Sequence, residues 1–197
     1  MNYIKLKNIN KIYFGYEELA SILGINLESA RVTASRYAKQ GLLIRLKRNL
    51  YVLKERWDTS ENTNLFQTAN IIQTPSYISL MSALCYYEVS TQIQQNYVES
   101  IALNRTTNLN ISGVEFSYFK IKKKLYSNFG KTDNFFIASA EKAFIDALYL
   151  KYLGNYNFDI SSIDIDKLST NKTKNILKIF PDKFVKYIER NEYFSKT

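Results

Sequence analysis

Histidine is absent from the 197 residues, and cysteine occurs once, at Cys85. Without imidazole there is no Ser-His-Asp triad, no His general base and no zinc site built on His. A lone thiol closes no disulfide within the chain and supplies no Cys-based zinc cluster. Glycine is scarce too, six in all and none close together, so neither a GxxxxGK phosphate loop nor a GxGxxG turn is present. The pattern (D/E)-x-K, which a metal-dependent nuclease of the restriction type needs, occurs nowhere. No run of 18 apolar residues exists, and the opening "MNYIKLKNINKIYF" lacks the apolar core of a signal peptide. These absences predict a cytoplasmic protein with no membrane segment, no catalysis of its own, and no cofactor or metal.

What is present is an aromatic, apolar chain with an uneven charge. Apolar residues make up 46% and aromatics 15%, which argues against disorder and for tyrosines and phenylalanines as core material. The formal net charge is +9. Residues 1–60 hold 11 cations and 5 acids, net +6, and the remaining 137 hold 16 and 13, net +3. A basic module joined to a nearly balanced one follows, with the polar run "DTSENTN" (58–64) as the joint. The expected domains are 1–57 and 62–197.

The first module changes its apolar period partway. "YEELASILG" is spaced for a helix with Leu19, Ile22 and Leu23 on one face and Gly24 as its stop. Asn26 can cap a second helix over 27–40, in which Leu27, Ala30, Ala34, Tyr37 and Ala38 share one side. Ser29, Val32, Thr33, Arg36, Lys39 and Gln40 fall on the other, with Arg31 on the flank. After Gly41 the period becomes two, and Ile44, Leu46, Leu50 and Val52 are expected to face inward. A tight turn through "KRN" then exposes Lys47 and Arg48, with Asn49 suited to a left-handed turn position. Six cations and no acid lie between residues 30 and 53. Helix, turn, helix and basic hairpin predict a winged helix-turn-helix that binds double-stranded DNA. Its second helix would enter the major groove, while Arg31, Arg45, Lys47 and Arg48 neutralise phosphates.

The second module reads as α+β with a small antiparallel sheet. "TNLFQTANIIQ" is helical, and Thr74–Pro75 is expected to begin another helix running to about Val89. "VESIALN", "VEFSYFKI" and "NFFIAS" read as strands, the first two joined through "RTTNLNISG" with Gly113 as turn residue. Ser139 can cap "AEKAFIDALYLKYLG", whose buried face would be Ala140, Ala143, Phe144, Ala147 and Leu148, ending at Gly154. "TKNILKIF" and "KFVKYIERN", separated by Pro181, suggest two short amphipathic helices. Lys142 and Asp146, at i,i+4, are expected as a modest surface pair. Asp164 and Asp166 in "SSIDIDKL" could ligate magnesium, but a surface helix start is the better reading. "KIKKK" (120–124) reads as a solvated strand end, or an auxiliary phosphate contact.

Three phrases in order, "GLLIRLKRNLYVL", "PSYISLMSALCYYEV" and "IASAEKAFIDALYL", resemble the AbiEi family, antitoxins of abortive-infection, type IV toxin–antitoxin systems. The similarity runs from about residue 7 to about 153. It implies an N-terminal winged helix, a C-terminal antitoxin domain, and repression through repeats in the chain's own promoter. It also implies a partner toxin resembling a nucleotidyltransferase, countered with or without direct contact. The antitoxin-domain motif would comprise Pro75, Ser76, Tyr77, Ser79, Ser82, Ala83, Leu84, Glu141, Lys142 and Asp146. Three positions depart from the family: the wing glycine is Asn49, a glycine is expected where Glu88 stands, and a proline where Ala140 stands. Glu88 is therefore expected to end its helix differently. The competing reading is a winged-helix regulator whose second domain senses a small ligand; an RNA-binding module is a further one, without an RNP-like pattern.

Overall fold

The computed structural model describes residues 3–9, 11–92, 94–132, 134–191 and 193. The chain divides into two compact units, Met1–Thr68 and Ala69–Thr197, so the division falls within a helix that follows the polar run.

The first unit contains α1 (Tyr3–Leu6), α2 (Tyr16–Leu23), α3 (Leu27–Lys39), β1 (Leu43–Lys47), β2 (Leu50–Leu53), α4 (Lys54–Asp58) and the first part of α5 (Asn62–Ile72). Gly24 ends α2 at φ 66°, a left-handed conformation that costs glycine nothing. Asn26 then caps α3, its Oδ1 accepting the Ser29 N–H at 2.8 Å. Leu19 and Leu23 pack with Ala30, Ala34 and Tyr37, and α1 adds Leu6 to the same cluster. Leu27 departs from expectation at 52% exposed, because it stands in the first turn of α3, ahead of the part of the helix that meets this cluster.

The hairpin carries a second correction. Leu46 and Val52 are buried as expected, Ile44 and Leu50 are only half-buried, and Leu43, Tyr51 and Leu53 join the helical core from the other face. Both faces of the hairpin therefore carry buried residues, and its pairing slips at a bulge between Arg45 and Lys47. Phe14 bridges antiparallel to Tyr51 through two backbone bonds of 3.0 and 2.9 Å, extending the two-stranded sheet by one residue pair. Asn49 turns the hairpin at φ 55° and also reaches α2. Its Oδ1 accepts the Tyr16 N–H at 2.6 Å, and its Nδ2 donates to Glu17 at 3.3 Å. Gly15 permits this approach, since a Cβ there would lie 3.0 Å from Asn49 Oδ1.

The second unit contains β3 (Ser76–Ile78), α6 (Leu80–Tyr86), β4 (Tyr97–Ala102), β5 (Thr107–Ile111), β6 (Val114–Lys120), β7 (Phe129–Thr132), β8 (Phe135–Ala138), α7 (Ala140–Tyr152), α8 (Thr170–Leu177) and α9 (Asp182–Arg190). The sheet is not small and antiparallel, as expected, but six-stranded and mixed, in the order β5-β6-β4-β3-β8-β7. β4 runs parallel to β6, and β3 parallel to β8; the other neighbours are antiparallel. Pro75 leads into a strand rather than a helix. β3 is three residues long and buried throughout, so it offers no alternation by which to recognise it. "RTTNLNISG" is itself mostly β5, turned into β6 at Ser112–Gly113.

α7 is the central helix. Ser139 Oγ caps it by accepting the Lys142 N–H at 3.2 Å, and Gly154 follows its end at φ 72°. Glu141 through Leu150 are all buried, so the helix has no solvent face of the kind expected. Tyr149 packs edge-on against Phe180 and Phe184 with centroids 5.2 and 5.1 Å apart, which docks α9. Glu88, just past α6, stands at φ 56° and supplies the left-handed conformation that glycine would have given. That costs on the order of 1 kcal/mol in a residue with a Cβ.

Asn49 therefore serves the turn and caps α2 at once. Asn49→Ala loses the cap and keeps the strained φ, and should lower stability by about 1–2 kcal/mol. Asn49→Gly loses the cap but relieves the strain, and should cost less than the alanine variant. Urea denaturation of the two variants checks this; equal losses would show that the cap alone matters.

Candidate functional sites: an exposed basic face and a buried ion pair

In the first unit the cations separate into two kinds. Lys7, Lys11 and Lys54 are committed to Glu55 (3.0 Å), Glu18 (2.7 Å) and Asp58 respectively. Glu18 is further held by the Gly15 N–H at 2.9 Å, and these bonds, Lys11 first, lower its carboxyl to about 2. By contrast, Arg31, Arg36, Lys39, Arg45 and Arg48 form no ion pair among the described residues, and all are exposed. Lys47 is exposed beside Arg48 at the hairpin tip.

α3 presents Arg31, Val32, Arg36 and Lys39 along one shallow concavity that Glu28, Ser35 and Gln40 complete. Val32 is 65% exposed there, an apolar side chain left in water on an otherwise polar helix face. Ser29 is exposed at the capped end of α3, and Thr33 is half-buried at the margin. Arg45 lies cross-strand from Tyr51. Burial, then the Tyr16 hydroxyl at 3.4 Å, push the Tyr51 phenol up to about 12, while Arg45 and Arg31 pull it back. Arg31 of α3 and Arg45 of β1 are thus both within electrostatic reach of one hydroxyl.

The motif of the second unit behaves differently. Lys142 and Asp146 are not a surface pair: both side chains are 0% exposed, and the ammonium is hydrogen-bonded to Asp146 Oδ1. Asp146 Oδ2 accepts from the Tyr77 hydroxyl and from Ser79 Oγ, each at 3.0 Å. The Lys142 ammonium lies 5.7 Å from the Tyr77 ring centroid and 5.3 Å from that of Phe180. Burial pushes the Asp146 carboxyl up, against the pull of Lys142 and the two hydroxyl donors. The periodicity placed these residues on a polar side, and nothing in the local sequence reveals that tertiary packing covers that side as well.

The rest of the motif is scaffold. Ser76, Ala83 and Leu84 are buried, Pro75 is exposed ahead of β3, and Glu141 is buried at the start of α7. Glu141 Oε1 accepts the Ser169 N–H at 3.3 Å and lies 3.8 Å from Lys172. Ser82 belongs to a cluster that the sequence did not announce, centred on Glu99. That carboxylate is 1% exposed and accepts from the Met81 N–H at 3.0 Å and from Gln94 Nε2 at 3.2 Å. Ser82 Oγ accepts the Glu99 N–H at 2.9 Å and donates to Gln94 Oε1 at 2.8 Å. Burial pushes the Glu99 carboxyl up, with the Tyr156 hydroxyl, Gln94 and the amides of Met81 and Ser82 opposing it.

Asp166 lies in a short 3-10 turn, Ile165–Lys167, and Asp164 directly precedes it, so neither starts a surface α-helix. Asp164 pairs with Lys167 at 3.8 Å, and no group of three or more His, Cys, Asp or Glu able to hold a metal occurs among the described residues. In "KIKKK", Ile121 and the following Leu125 are buried and pin a 3-10 turn that leaves Lys122, Lys123 and Lys124 in water. No described helix is long and apolar enough to cross a membrane. Compared with protein-family models and with curated proteins, the chain matches none.

The ion pair and the Glu99 cluster make separate predictions. Asp146→Ala or Lys142→Ala leaves its partner buried and uncompensated, and each should cost about 3–5 kcal/mol. The double variant Lys142→Met, Asp146→Leu should cost much less than the sum of the two; additive losses in a double-mutant cycle would refute the coupling. For Glu99, a carboxyl raised in the folded state contributes stability that is present below the unfolded value and lost as pH rises through the folded one. Glu99→Gln should therefore gain stability relative to wild type as pH rises. A difference that stays flat across that range in denaturant titrations would exclude a raised Glu99.

Proposed function

We propose that the chain is a DNA-binding autorepressor and the antitoxin of a type IV toxin–antitoxin system, with the first unit as a winged helix-turn-helix. The observation that carries the DNA-binding part is that five exposed cations of α3 and the hairpin form no ion pair among the described residues, while Lys7, Lys11 and Lys54 are neutralised. A helix bearing Arg36, Lys39 and an exposed Val32 has the chemistry for the major groove, where arginine pairs with guanine and an apolar side chain meets the thymine methyl. Arg45, Lys47 and Arg48 would neutralise phosphates. The resemblance of the three phrases supports the antitoxin role, a target in the chain's own promoter, and a toxin resembling a nucleotidyltransferase. Two small modules on one operator gain effective concentration, which favours repeated half-sites spaced near multiples of about 10–10.5 bp.

One observation favours the ligand-sensing alternative: a concavity of about 650 Å³ beside α8 and α9, lined by Thr173, Leu177, Phe180, Val185 and Ile188 among others.

Gel-shift titrations on the upstream DNA of the gene test the first reading. Arg36→Ala should cost about 1–3 kcal/mol on the operator and relax its sequence preference. The Lys47→Ala, Arg48→Ala double variant should weaken all sequences alike and flatten the salt dependence. With the toxin expressed from an unrelated promoter, the same double variant should still protect cells. Wild-type binding by both variants would refute the assigned face, and lost protection by a folded, abundant double variant would refute the antitoxin role of the second unit.

A further inference from the structure

β7 is an edge strand, hydrogen-bonded to β8 on one side only. The Ser139 N–H donates to the Asn128 carbonyl at 3.1 Å, which sets the phase of the pairing. With antiparallel alternation, Gly130 and Thr132 turn their backbone groups toward β8, and Phe129 and Lys131 turn theirs outward. The outward N–H and C=O groups of Phe129 and Lys131 have no partner among the described residues. An uncovered edge of this kind is a template for another strand.

The edge borders a groove of about 460 Å³, within the size range of ligand sites. β7 and β8 supply Phe129, Gly130 and Ile137, and α8 supplies Lys172, Asn175 and Ile176 across from them. Gly130 has no conformational reason to be glycine, for its φ is not positive and a Cβ there meets nothing within 4 Å. A glycine inside a strand weakens it unless another backbone approaches. Lys172 is the only charged residue lining the groove among those described; its side chain is 71% exposed, and its contact with the buried Glu141, at 3.8 Å, leaves the rest of the ammonium open to a second carboxylate.

We propose that this groove docks an extended acidic segment of another protein, which adds to β7 as a further strand. The segment pairs its backbone with Phe129 and Lys131, sets small apolar side chains toward Ile137 and Ile176, and places a carboxylate opposite Lys172. This is strand addition between a sheet edge and a helix, with the main chain giving affinity and alternate side chains giving specificity. The proposal stands independently of DNA binding by the first unit.

The test pans a random peptide display library on the full chain, then measures the most enriched peptide, synthesised with a fluorophore, by anisotropy. Enriched peptides should carry Asp or Glu at a fixed position. Gly130→Val fills open space without strain and should keep the wild-type urea midpoint while weakening the peptide about tenfold or more. Lys172→Glu should weaken the acidic peptide similarly. On the wild-type chain, N-methylation of alternate peptide amides should abolish binding in one phase and spare it in the other, an arm that needs no variant to fold. The proposal is overturned if no peptide enriches above a protein-free control, if Gly130→Val binds as tightly as wild type, or if N-methylation has the same effect on binding in both phases.

Discussion

The second unit is organised around one charge pair that water does not reach. Lys142 and Asp146 sit on the same side of α7, and each takes its remaining partners from other elements: Tyr77 from β3, Ser79 from the entry to α6, and Phe180 from the segment before α9. A buried carboxylate costs several kcal/mol to desolvate, and only a full set of donors repays that cost. Geometry is therefore demanded of all these elements together. If β3 shifted by one residue, Tyr77 would face the opposite side of the sheet and Asp146 would lose a donor. The pair contributes less to net stability than to fixing one arrangement of strand and helices, because an apolar alternative would tolerate sliding.

Glu99 applies the same logic in the first turn of α6. Its carboxylate takes the Met81 amide, a free N–H of the first helical turn, and no cation lies against it among the contacts described. Neutralisation comes from amide dipoles, Gln94 and the Tyr156 hydroxyl instead. Thus α6, only seven residues long and too short to be stable alone, is held at its start from β4. Two buried carboxylates, one ion-paired and one capped, register the short helix and the short strand that the chain's local propensities leave undecided.

These tertiary roles mark where the sequence stops being legible. Helix ends with a local chemical signature were readable: Gly24, Asn26, Ser139 and Gly154 each act where their chemistry predicts. α3 and its cations were readable because a half-exposed helix keeps its periodicity. β3 was not, since a strand of three buried residues has no alternation, and its preceding proline is equally suited to starting a helix. The hairpin was legible only in part: Leu46 and Val52 are buried as their alternation predicts, but Leu43, Tyr51 and Leu53 on the opposite face are buried too, so period two alone does not say which face meets the core. Lys142 and Asp146 failed for a deeper reason. An i,i+4 Lys–Asp pair has the same sequence signature whether solvent or two aromatic rings lie above it, and only the fold decides.

The contrast between the units bears on how the proposed function could be divided. In the first unit, the exposed cations of α3 and the hairpin form no ion pair among the described residues, at a cost in self-repulsion that brings no gain to folding. In the second, the residues that carry the resemblance are spent inward, on the ion pair and the strand it registers. Apart from the exposed Pro75, the motif is therefore a poor candidate for direct contact with a toxin, because a partner cannot touch buried side chains. What it does is fix the scaffold on which exposed features are displayed. Any contact surface of that unit must then be sought among residues outside the motif, such as the open edge at Gly130 and the lysines of the 120–124 turn. Those positions lie in segments that three short phrases of sequence similarity do not include.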